Sequence, residues 1–186
     1  EEVKELVERL RDLVRESEKR VDEVVKRLED LVRRNEELNR ELVTRLRDLV
    51  RKLEEKVKDT KDEETLRRLA EEVRKRLDEL RREMEKINRD SERELDRLDR
   101  EVERISETTE RRLRELEKKA KDDIKDDKEM VREIKRVVDE VRKRDKEALD
   151  RLKKVIEEVR RKVKRSEDEA RRVVEEVKRI VDRVET

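Results

Sequence analysis

Residues 21–49 read VDEVVKRLEDLVRRNEELNRELVTRLRDL, and their spacing decides the fold. Positions 21, 24, 28, 31, 35, 39, 42, 46 and 49 form one stripe, apolar except for Asn35 and Asn39. Steps of three and four residues keep a side chain on one face of a helix, whereas a half-buried strand would alternate every second residue. The stripe also repeats every 18 residues: Val24 becomes Leu42, Leu28 becomes Leu46 and Leu31 becomes Leu49. Eighteen residues in five turns is the natural period of an α-helix. A strict heptad would instead impose a left-handed supercoil, so long and nearly straight helices are expected.

Followed outward, the stripe runs from Val3 to Val57, from Leu66 to Ala120 and from Met130 to Val184. Two Asp-rich stretches interrupt it: Lys58-Asp59-Thr60-Lys61-Asp62, and Lys121-Asp122-Asp123-Ile124-Lys125-Asp126-Asp127. Each of the three segments opens acidic, with Glu1 and Glu2, then Asp62, Glu63 and Glu64, then Asp126, Asp127 and Glu129. The first two close on Lys56 and Lys58, and on Lys118, Lys119 and Lys121. This polarity suits the helix dipole. Thr60 with Glu63, and Asp126 with Glu129, have the spacing of capping boxes. The expected fold is all-α: an up-down-up antiparallel three-helix bundle in one domain over 1–186, with helices at about 1–58, 62–121 and 126–185 and loops near 59–62 and 122–126. Asp90-Ser91-Glu92 and Ser166-Glu167-Asp168 could each cap a new helix, but the stripe passes through both without a change of phase.

Composition agrees and excludes much. Of 186 residues, 63% are charged, and Gly, Pro, Cys, His and aromatic residues are absent, so the punctuation of sheets and tight turns is missing. Nearly every apolar residue lies on a stripe or directly beside one; Ile124 is the exception. A single three-helix core would use that supply, which favours a monomer, with a homodimer as the alternative. An extra Val-rich row on the first and third helices is where such a self-association or partner seam would form.

Polar residues interrupt the stripes at Ser17, Asn35 and Asn39, at Ser91 and Thr109, and at Asp145 and Ser166; Asn88 and Ser106 lie beside the second stripe. Folding the first hairpin about residue 61.5 levels residues whose numbers add to 123, which pairs Ser17 with Ser106 and Asn35 with Asn88. The same logic brings Asp145 near Ser17 and Ser166 near Asn39. A buried amide or hydroxyl is costly without a partner, and level partners satisfy one another in only one register. These nine residues are therefore expected to form a structural polar core rather than a ligand site.

Chemistry is scarce. Without His or Cys the common general base, the thiol nucleophile and the usual transition-metal ligands are missing, and there is no Gly-rich phosphate loop. Catalytic, cofactor-binding and metal residues are not expected, and the chain is read as no enzyme. Net charge is +1. The best basic run, Arg160, Arg161, Lys162, Lys164 and Arg165, is flanked by Glu157, Glu158, Glu167 and Asp168, so neither nucleic acid nor a membrane surface is expected as a partner. With no targeting signal or long apolar run, a soluble protein is expected.

The 18-residue repeat, the equal helices, the Leu/Val/Ile stripes, the levelled Ser and Asn residues and the Glu/Lys/Arg surface together resemble de novo designed, parametric three-helix bundles with buried hydrogen-bond networks. That resemblance covers the whole chain and implies a stable scaffold with no native ligand. Spectrin-like repeats have helices about half this long and usually a core Trp, and BAR domains need a basic concave face and a large dimer interface.

Overall fold

The structure, a computed structural model, describes residues 2–124 and 126–185, with side chains from Lys4 onward. Glu1, Lys125 and the side chains of Glu2 and Val3, which enter the expectations above, lie outside the described residues. Three helices account for nearly all of the rest: α1 Glu2–Asp59, α2 Glu63–Asp123 and α3 Lys128–Glu185. Both α2 and α3 run unbroken through the Asp90 and Ser166 positions where shorter helices would have begun.

The loops are tighter than the capping boxes predict. Asp62, not Thr60, caps α2: its Oδ1 accepts from the Glu64 amide at 3.3 Å and its Oδ2 from the Thr65 hydroxyl at 3.1 Å. Thr60 instead turns back on α1, its hydroxyl donating to the Lys56 carbonyl at 2.8 Å. Likewise Asp127, not Asp126, caps α3, with Oδ1 accepting from the amides of Glu129 and Met130 at 3.2 and 3.4 Å. The physical reason is shared. A carboxylate next to the first helical residue reaches the free N–H groups of the first turn directly, and with no Gly to stop it each preceding helix runs on as far as its residues allow.

The helices contribute to two compact units. Unit 1 comprises residues 1–29 and 95–158; unit 2 comprises 30–94 and 159–186. In unit 1, Leu6, Leu10 and Leu13 of α1 pack with Leu113 and Ala120 of α2 and Ile134, Val138 and Val141 of α3. Ile124, the apolar residue with no stripe, packs against this cluster from the loop. In unit 2, Leu42, Leu46 and Leu53 meet Ala70, Val73, Leu77, Leu80 and Met84, together with Ala170, Val174, Val177 and Val181. Each unit is thus an all-α three-helix core, with α2 antiparallel to α1 and α3.

Burial follows the 18-residue repeat but not the stripe edges. On α3, Val138, Leu149, Ile156 and Val174 are buried, whereas the neighbouring stripe residues Val137, Ala148, Val155 and Val173 are only partly so. A helix packed against two neighbours buries a face wider than a single seam, and here its centre lies one position along. Two large apolar residues are exposed against expectation: Met130 at 37%, in the first turn of α3, and Leu38 at 40%, one step outside the α1 stripe.

Register corrects the sequence reading. In unit 1, Arg27 pairs with Glu101 and Arg112 with Glu16; in unit 2, Arg45 pairs with Glu83. In each case the residue numbers add to 128, not 123. Side chains lean toward the N-terminus of their own helix, so a given level is covered by a residue about one position C-terminal to it. In an antiparallel pair that lean acts on both partners and moves the sum up by about two, part of the observed five; the rest is an axial offset of α2 against α1. The parallel pair α1/α3 feels no such shift.

Candidate functional site

The polar residues predicted for the core gather in each unit separately. In unit 2, Asn35 and Asn39 face inward from α1, one turn apart and both buried. Asn35 Nδ2 donates to Ser91 Oγ on α2 at 2.7 Å. Asn39 Nδ2 donates to Asn35 Oδ1 at 3.1 Å and to Ser166 Oγ on α3 at 2.9 Å. Four side chains thereby tie three helices together in one connected network. The expected partner of Asn35, Asn88, is buried but does not bond to it; the register shift puts Ser91, three residues on, in that place.

In unit 1 the layer is smaller. Ser17 Oγ on α1 donates to Asp145 Oδ1 on α3 at 2.7 Å. Thr109 is buried and Ser106 partly so, but neither joins this pair by a hydrogen bond, so the expected Ser17–Ser106 pairing does not form. Burial pushes the Asp145 carboxyl above the ordinary carboxylate range; the Ser17 hydroxyl pulls it partly back and the charge of Glu110 pushes it up again. Nearby, Arg142 bridges Glu110 and Glu117, each at 3.2 Å, which secures α2 to α3 at this level.

One inward residue was missed in the sequence. Glu167 on α3 is only 6% exposed, and burial raises its carboxyl above the usual value, reinforced by Glu92 and Asp168 and opposed by Arg171. Its signal was available: Glu167 stands 18 residues beyond Leu149, in the same buried column of the repeat. The expected stripe ran one position to the side of that column, through Ser166.

The basic run on α3 is exposed from Arg160 to Arg165, apart from the core residue Val163. Lys162 and Arg165 line a groove of about 690 Å³ in unit 2, but Glu36, Glu169 and Glu176 share it. Cationic side chains gather more densely in unit 1, where Arg20, Arg27, Arg97, Arg100 and Arg104 border one α1/α2 groove; Arg27 is held there by both oxygens of Glu101, at 3.2 and 2.9 Å. Among the described residues no cluster of three or more carboxylates could hold a metal ion, and no helix is long and apolar enough to cross a membrane.

The arrangement defines an all-α three-helix bundle with polar layers in its core. Neither a protein-family model nor a curated protein matches the chain. Among solved structures it is similar to a computationally designed three helix bundle, at 16% identity over 98% of this chain and 85% of that one, with a TM-score of 0.47.

Proposed function

We propose that the chain is a structural scaffold of the designed-bundle kind, in which apolar cores supply stability and polar layers select the register. It has no catalytic role, takes no cofactor and needs no nucleic-acid or membrane partner. The observation that carries this reading is the use of the apolar residues. The cores of both units draw on all three helices, and among the described residues only Leu38 and Met130 stand out as exposed large hydrophobics. They lie on different helices and in different units, too isolated to form the contiguous apolar patch that marks a partner surface.

The second reading is self-association or partner binding through the Val-rich row of α1 and α3. It is supported by Val7, Val14, Val25, Val32, Val43 and Val50, which are only partly buried along α1. Against it, Val138, Leu149, Ile156 and Val174 beside the α3 stripe are already in the cores, and only Val131 and Ile180 there are partly buried. Size exclusion with light scattering, followed by a thermal melt of the same sample, separates the two. The scaffold reading expects the 23.0 kDa mass of one chain at every concentration and a high melting temperature. A mass that doubles with concentration would favour the seam.

A further inference from the structure

Asn39 on α1, Asn88 on α2 and Glu167 on α3 lie at one level of unit 2. The Asn39–Ser166 bond levels α1 and α3 at a separation of 127 residues, which places Asn39 beside Ser166 and Glu167. Between α1 and α2, Asn35–Ser91 and Arg45–Glu83 level residues whose numbers add to 126 and 128, and Asn39 with Asn88 falls between them. Between α2 and α3, Arg74–Asp182 levels residues adding to 256, and Asn88 with Glu167 falls one short. All three side chains are more than nine-tenths buried. Four of their polar atoms have no hydrogen-bond partner: Asn39 Oδ1, Asn88 Oδ1, Asn88 Nδ2 and Glu167 Oε1.

The atoms do not balance when Glu167 is ionised. Of these four atoms three are acceptor oxygens, and only Asn88 Nδ2 donates. Its two hydrogens can serve Asn39 Oδ1 and Glu167 Oε1 but not the oxygen of its own amide, so Asn88 Oδ1 is left without a donor while the charged Oε1 stays buried with one neutral donor at most, a costly state. A carboxylic acid in place of the carboxylate removes the charge and adds the missing donor.

We propose that Glu167 is a proton-binding site of this layer. A proton taken from solvent onto its carboxyl lets the new hydroxyl donate to Asn88 Oδ1, while Asn88 Nδ2 donates to Asn39 Oδ1. The charged groups around it favour the same outcome. From α2 the facing charge is Glu92; on α3 itself Asp168 adds repulsion and Arg171 partly offsets it. α1 presents the neutral Asn39, and its neighbouring charges Glu36 and Arg40 pair with each other at 3.9 Å. The folded unit therefore binds a proton that the unfolded chain releases, and it gains stability as that proton is taken up.

The test compares the wild-type chain with Glu167→Gln, whose amide reproduces the shape and the donor of the protonated acid. Urea unfolding is followed from pH 8 to pH 4.5 at constant ionic strength. At pH 8 the variant should be the more stable. The ratio of the two unfolding constants should then shrink as pH falls, by up to tenfold per pH unit as one proton is bound. In the wild type, the carboxyl carbon-13 signal of Glu167 should titrate above those of the exposed glutamates, a readout that does not depend on the variant folding. A titration coincident with the exposed glutamates, or a stability gap independent of pH, would overturn the proposal. So would a gap that changes between sodium, potassium and tetramethylammonium chloride at fixed pH, which would assign the oxygens to a cation instead.

Discussion

Asn35 on α1 donates to Ser91 on α2 at 2.7 Å, three residues along from Asn88, the residue a simple hairpin count would choose. That displacement locates where the register is held. Asn39 extends the bond to Ser166, so the network reads the position of all three helices of unit 2 at once. Apolar stripes that repeat every 18 residues leave the helices many comparable ways to slide, because Leu28 and Leu46 are interchangeable knobs. A polar network has one setting in which its members are partnered, and every other setting leaves buried amides unpaired.

The cores set the scale of stability. Leu28 in unit 1 and Leu46 in unit 2 stand one repeat apart and are both 0% exposed. Leu28→Ala and Leu46→Ala should each destabilise by about 3 kcal/mol, within the range for truncating a buried leucine. Leu38→Ala, at an exposed position, should change stability by less than about 0.5 kcal/mol. Urea denaturation of the three variants checks the contrast.

The caps give a local test. Asp62→Ala and Asp127→Ala each remove a carboxylate that accepts from the first turn of a helix. Each should cost about 1 kcal/mol. Asp126→Ala, one residue outside the cap, should cost little. Equal losses at Asp126 and Asp127 would place the start of α3 one residue earlier.

The Ser17–Asp145 bond should depend on pH. The folded-state carboxyl of Asp145 is raised above its ordinary value, so between the two values the folded chain holds the extra proton. Stability from this group is therefore fully present below the ordinary carboxylate range and is lost as pH rises through the raised value. Ser17→Ala removes the donor that pulls the carboxyl down, so Asp145 should titrate higher still. The variant should lose about 1 kcal/mol at pH 7 and less in acid, because the bond is strongest to the charged carboxylate. Carboxyl-detected NMR and pH-dependent unfolding read the two effects.

Much of this was legible in the sequence, for identifiable reasons. The 18-residue stripe carries the helices because period and burial are one property in an amphipathic helix. Nine candidate polar positions could be named because each interrupts or borders an apolar column; Ser17, Asn35, Asn39, Asn88 and Thr109 are buried, whereas Ser91, Ser106, Asp145 and Ser166 are only partly so. Their partners could not be named, since the register of α1 against α2 is displaced from a simple hairpin count, only partly through the lean of side chains toward each N-terminus, and residue spacing does not carry that displacement. Glu167 stayed hidden because its charge resembles that of the surface around it. Only the column it shares with Leu149 marks it as inward.

The central claim is that polar pairing fixes the register, and a double-mutant cycle on Asn35 and Ser91 tests it most directly. Asn35→Ala, Ser91→Ala and the double variant, unfolded in urea, should show a coupling energy of about 1 kcal/mol, while the equivalent cycle on Asn35 and Asn88 should be close to additive. Additive losses at Asn35 and Ser91 with strong coupling at Asn35 and Asn88 would restore the lower register and contradict the account.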